Sequence, residues 1–234
     1  MKTKPTFKLQ NFYEKKEVQA FMKKQINPNK KYHGLDLPMR LLVIGSSGSG
    51  KTCTTLNLLN YFSHTFNTIY LIAKTLNEPL YDYLQFKMKK QNVHFFEGLD
   101  DLNSWDLKEH FEGKGQCLII FDDLMLEKKQ DKILELFIKG RKLASGVSLV
   151  YLAQGYFPVH KDIRGNCTNL ILRKVPNKRD LVHILKNSSL GIEPDELLKI
   201  YNYCVKDDIT SFLSIDLKAP PETAFKKNFI EPLY

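Results

Sequence analysis

The chain has 234 residues, 43% of them hydrophobic and 12% aromatic, with 12 glycines and 10 prolines. That is apolar material for one domain with a continuous core, and it excludes disordered, collagen-like and solenoid readings. The formal net charge is +9, from 35 Lys and Arg against 26 Asp and Glu. No run reaches the roughly 20 apolar residues of a membrane span, and the opening MKTKPTFKLQ lacks the apolar stretch of a signal peptide, so a soluble, intracellular protein is expected.

Residues 1–38 read as a basic, partly helical leader. Lys2, Lys4, Lys8, Lys15, Lys16, Lys23, Lys24, Lys30 and Lys31 face only Glu14 and Glu17 there, a charge that attracts a polyanion. Residues 39–217 read as the domain. Its predicted elements are a strand at Arg40–Ile44, a helix from Lys51, a strand at Thr68–Ala73 and a helix at Glu78–Lys90. Strands at Val93–Phe96 and Cys117–Phe121 come next, then a helix at Glu127–Ala144 with Ile133, Phe137, Gly140 and Ala144 toward the core. Strands at Val147–Leu152 and Thr168–Arg173, helices at Arg179–Asn187 and Asp195–Val205, and a strand at Ser211–Leu217 complete it. The alternation predicts a single α/β domain with a mostly parallel central sheet flanked by helices. Residues 218–234 form a proline-containing tail without a period. The four cysteines show no C-x-x-C pair and the six histidines no H-x-x-x-H spacing, which argues against a disulfide framework and a transition-metal site.

The segment RLLVIGSSGSGKT carries the strongest motif. Gly45, Ser46, Ser47, Gly48, Ser49, Gly50, Lys51 and Thr52 satisfy G-x-x-x-x-G-K-[ST] between an apolar strand and a helix start. In such a loop backbone amides meet the phosphates of a nucleotide, Lys51 neutralises the β and γ oxygens, and the Thr52 hydroxyl goes to Mg²⁺. CLIIFDD is the expected acidic strand: Asp122 for Mg²⁺ through water, Asp123 to orient or deprotonate the attacking water. The alternative is that these acids cap the next helix. VSLVYLAQGYF places Gln154 at the end of a further strand, where its amide can hydrogen-bond the γ-phosphate or the lytic water; the alternative is a glutamine that caps the strand. Arg141 in GRK and Arg164 in KDIRGN are the candidates for an arginine that stabilises the transition state from a neighbouring subunit. Asn177, Lys178 and Asp180 spell N-K-x-D, a guanine-reading signature. No glycine follows Asp122 in the D-x-x-G position, so the segment reads as a helix start and the nucleotide as ATP.

The order GSSGSGKT, IIFDDL, GRK, YLAQGYF and IRGN, over about residues 39–187, resembles the poxvirus-type genome-packaging ATPases of large double-stranded DNA viruses and virophages, within the FtsK–HerA superfamily. The resemblance implies a RecA/FtsK–HerA-like P-loop fold and a homo-oligomeric ring, pentamer or hexamer. In such a ring ATP hydrolysis with Mg²⁺ drives double-stranded DNA through the pore into a preformed capsid. It implies a capsid or inner-membrane protein partner at the packaging vertex, and a location in the host cytoplasm at assembly sites or in the virion. In that superfamily a glutamate often stands at the position of Asp123, which is one methylene shorter. A motor that moves any sequence holds phosphates rather than base edges, and Lys128, Lys129, Lys132 and the segment Tyr156, Phe157, His160, Lys161, Arg164 are the candidates. Two other classes stay open: a nucleotide-gated binding protein without motor activity, and a GTPase or small-molecule kinase.

Overall fold

The computed structural model describes residues 9–88, 92–175, 179–187 and 190–233. After a 3₁₀ turn at Phe12–Glu14, the chain runs through α1 (Lys16–Phe21), α2 (Lys30–His33), β1 (Arg40–Ile44), α3 (Lys51–Tyr61), β2 (Thr68–Ala73) and α4 (Pro79–Lys87). β3 (Val93–Glu97), α5 (Asp100–Ser104), α6 (Leu107–Phe111), β4 (Cys117–Asp122), α7 (Asp131–Lys139) and β5 (Val147–Ala153) follow. The last stretch holds α8 (Lys161–Asn166), β6 (Asn169–Leu172), α9 (Arg179–Asn187), α10 (Pro194–Val205), β7 (Leu213–Asp216), α11 (Pro221–Ala224), β8 (Phe225–Lys227) and β9 (Glu231–Pro232).

One sheet runs β3-β2-β4-β5-β1-β6-β7-β8-β9, parallel from β3 to β6 and antiparallel from β7 onward. The apolar runs RLLVI, CLIIFD and VSLVYLA become its central strands because helices cover both faces. Alternate residues serve opposite faces. Leu42, Ile44, Ile119, Phe121 and Tyr151 pack with α7, α8 and α10, whereas Leu41, Val43, Leu118, Ile120 and Val150 pack with Leu58 of α3 and Leu84 of α4.

The seven expected strands form, each within a residue or two of its predicted limits, and the sheet continues past residue 217 through β8 and β9. The helix expected over Glu127–Ala144 is shorter. Gln130 Nε2 donates to the carbonyls of Leu124, Met125 and Glu127 at 3.0, 3.2 and 2.9 Å, which closes residues 124–130 into a loop. At the other end Ala144 takes φ +47° and Gly146 φ +112°, turning the chain into β5. The helix expected over Glu78–Lys90 ends at Lys87, and Lys89 and Lys90 lie outside the described residues, as do Lys2, Lys4 and Lys8. The short helices α5, α6 and α8 have too few turns to show a period in sequence. Among the described residues no helix is long and apolar enough to cross a membrane.

Phe137 of α7 is fully buried against Tyr151, ring centroids 6.3 Å apart, while its neighbour Ile138 is 50% exposed. Phe137→Ala is expected to cost about 3–5 kcal/mol in urea unfolding, and Ile138→Ala less than about 0.5 kcal/mol.

Candidate functional site

Strand register builds the site. Ile44 lies beside Ala153 and Asp122 beside Leu152, so the residues that follow β1, β4 and β5 leave the sheet at one level on its C-terminal edge. The loop after β1 is anchored from both neighbours: Gly45 N–H donates to Ala153 O at 3.1 Å and Ser46 N–H to Lys174 O at 2.9 Å. Gly50, at φ +86°, is the N-cap of α3; only glycine enters this left-handed region without strain. The free amides of the first turn of α3 thereby open beside the loop.

Ser47, Gly48, Gly50, Lys51, Thr52, Asp122, Asp123 and Gln154 line one cavity of about 500 Å³. Cys53, Lys74, Glu78 and Ile209 line it too. Lys51 Nζ donates to the carbonyls of Gly45 and Ser46 at 2.9 and 3.1 Å. Burial lowers its pKa, opposed by the charges of Asp122, Asp123 and Glu78.

Burial raises the pKa of Asp122, against the opposing pull of Tyr81 and Lys51. The Tyr81 hydroxyl donates to Asp122 Oδ2 and also meets the Thr52 side chain, so these two residues converge on one point. One carboxylate and one hydroxyl beside an open cavity fit Mg²⁺, which keeps several waters and takes few protein oxygens.

Asp123 has φ +55°, and Gln154 Nε2 donates to its Oδ1 and Oδ2 at 3.1 and 3.3 Å. It does not cap α7, whose N-cap is Gln130. A second cavity, of about 670 Å³, adjoins at Asp123 and Gln154; Leu126, 77% exposed, and Phe157, 63% exposed, stand on its walls.

The two arginines lie elsewhere. Arg141 is exposed in the 3₁₀ turn Gly140–Lys142, next to Arg40, whose pKa burial and the Arg141 charge lower. This turn precedes β5, while the cavity follows it. A strand of 7 residues at about 3.3 Å each separates them, roughly 20 Å, so Arg141 does not serve the cavity of its own chain. Arg164 Nη1 donates to the carbonyls of Tyr156 and Phe157 at 3.3 and 3.1 Å, its guanidinium 5.0 Å from the Tyr156 ring. Lys128, Lys129 and Lys161 are exposed at the starts of α7 and α8, on the cavity's edge of the sheet. Lys132 is half-buried, 3.8 Å from Glu135. Asn177 and Lys178 lie outside the described residues, and Asp180 is buried in α9, accepting from the Phe157 amide at 3.4 Å.

Sequence reasoning missed Lys74, Glu78, Tyr81, Arg173 and Ile209. Lys74 and Glu78 follow β2, which their place in the chain does not reveal as the neighbour of β4. Arg173 did leave a signal, a charge closing the apolar run NLIL.

The fold and the site define a P-loop ATPase. The family profile described as Poxvirus A32 protein matches residues 29–210. The chain belongs to that family, one of viral genome-packaging ATPases. No curated protein matches the chain by sequence. Among solved structures, the genome packaging NTPase B204 of Sulfolobus turreted icosahedral virus 2, in complex with ATP-gammaS, is 15% identical, with a TM-score of 0.58 over 85% of this chain and 100% of that one. B204 of Sulfolobus turreted icosahedral virus, a DNA-packaging ATPase, gives 16%, 0.59, 86% and 100%. EssC, ATPases 2 and 3, from Geobacillus thermodenitrificans gives 15%, 0.55, 85% and 40%. These likenesses show the shared fold.

Because the Asp122 carboxyl titrates above its ordinary value of 3.8 in the folded protein, its contribution to stability is full below that value and is lost as pH rises through the folded pKa. Without nucleotide and in EDTA, Asp122→Asn is therefore expected to melt above the wild type at pH 7. The gap should close below about pH 4 in thermal melts.

Proposed function

We propose that this chain is an ATP-driven translocase of double-stranded DNA that packages a viral genome into a preformed capsid. The observation that carries the reading is the meeting of Lys51, Thr52, Asp122, Asp123 and Gln154 in one cavity, in a chain of this family.

In this reading Gly45–Thr52 cradle the triphosphate, and Lys51 exchanges the carbonyls of Gly45 and Ser46 for β and γ oxygens. Thr52 and Asp122 hold Mg²⁺, which would neutralise charge on the phosphates. Asp123 takes up or orients the proton of the attacking water. Gln154, bonded to both its carboxylate oxygens, holds it in place and responds to γ-phosphate loss. Arg141 belongs to the neighbouring subunit's site: it is exposed and remote from its own cavity, whereas Arg164 is engaged by two carbonyls. The second cavity beside Asp123 and Gln154 gives that neighbour access. Lys128 and Lys129 in the loop after β4, Lys132 in the first turn of α7 and Lys161 at the start of α8 hold duplex phosphates and are moved by hydrolysis. The assembly is a homo-oligomeric ring of five or six copies, working with a capsid or inner-membrane partner at host cytoplasmic assembly sites.

Lys51→Ala is expected to abolish nucleotide binding and hydrolysis together. Asp123→Asn should bind ATP as the wild type does and hydrolyse it at least about 100-fold more slowly, read by equilibrium binding and phosphate release. Hydrolysis per subunit should rise with protein concentration and with duplex DNA; a rate indifferent to both supports a nucleotide-gated binding protein. Mixing Arg141→Ala with Lys51→Ala subunits should recover activity that neither has alone, and no recovery removes Arg141 as an arginine acting between subunits.

A further inference from the structure

Arg173, the first residue past β6, is 1% exposed and sits directly behind the phosphate loop. Its Nε and Nη2 both donate to the Ser49 carbonyl, at 2.9 and 2.7 Å. The loop is wrapped around this side chain. A Cβ at Gly45 would lie 2.6 Å from Arg173 Cβ, and one at Gly50 2.8 Å from Arg173 Nη2.

The Ser49–Gly50 peptide is planar and trans, so a carbonyl held toward Arg173 aims the Gly50 N–H the opposite way. Nη1 has no hydrogen-bond partner among the described residues, and the Phe212 ring lies 5.8 Å from the guanidinium carbon. Asp208 faces it from the loop before β7, but that carboxylate already accepts from Thr210 and Ser211. A buried cation whose counter-charge is not hydrogen-bonded to it is costly, and arginine does not shed its proton.

We propose that Arg173 is a positioning residue for the phosphate loop, holding the Ser49–Gly50 peptide in its anion-binding orientation and lending the bound phosphates a positive charge to which no carboxylate is hydrogen-bonded among the described residues. The inference rests on the nucleotide reading of the cavity and names the residue that prepares it. It links two properties with opposite sign. Removing the charge relieves the empty protein and weakens the occupied one.

Arg173→Met, neutral and of similar length, and Arg173→Lys, charged but without the fork, test it. The measurements are thermal melts without nucleotide and titrations with Mg²⁺–ATP and with AMP. Arg173→Met is expected to melt at or above the wild type when empty and to bind ATP at least tenfold more weakly, with a smaller loss for AMP, which carries one phosphate. Arg173→Lys should fall between Arg173→Met and wild type in ATP affinity. A variant that melts lower when empty but binds ATP as the wild type does overturns the inference, as does an equal loss for ATP and AMP. Should Arg173→Met fail to fold, Arg173→Lys decides: folded protein with wild-type ATP affinity overturns the proposal. A wild-type chain that binds no ATP overturns the nucleotide reading and this inference together, whereas wild-type binding with unchanged variants overturns this inference alone.

Discussion

The pairing of β1, β5 and β4 with their C-terminal ends flush is the constraint on which the site depends. A parallel ladder fixes the relative height of three chain segments distant in sequence, and Ile44, Ala153, Leu152 and Asp122 hold adjacent register positions. The phosphate loop, the acidic pair and the glutamine therefore emerge within reach of one another without long side chains. Because a register slip of one residue exchanges the two faces of a strand, the same apolar alternation that fills both cores also keeps the polar ends level.

Charge inside the cavity is deliberately unbalanced. Two ammoniums, Lys51 and Lys74, share it with three carboxylates, Asp122, Asp123 and Glu78, and burial raises the pKa of Asp122. Such a cavity favours a divalent cation, and the cation in turn favours phosphate. Behind the loop the Arg173 guanidinium is buried and hydrogen-bonded to the Ser49 carbonyl.

Much of this was legible in the sequence because the decisive signals are local. Three apolar runs ending in glycine, aspartate and glutamine announce buried parallel strands with functional ends, and the phosphate loop has a spacing that backbone geometry dictates. What escaped depends on pairing between distant segments. Glu78 and Tyr81 join the site only because β2 lies against β4. The arginines sort only after folding, since helical period alone does not tell which end of a strand a turn adjoins. The helix after the acidic strand is shorter than its apolar spacing suggests because Gln130 and Ala144 divert the backbone.

The left-handed backbone at Asp123 bears on why the chain carries the shorter acid there. Aspartate and asparagine tolerate that conformation far better than most residues, so main-chain twist and side-chain length are traded against each other. The peptide itself swings the carboxylate around to meet Gln154, and reach comes from torsion instead of an added methylene. Glutamate at this position would accordingly be no conservative replacement, since lengthening the arm would leave the twisted shoulder without its reason.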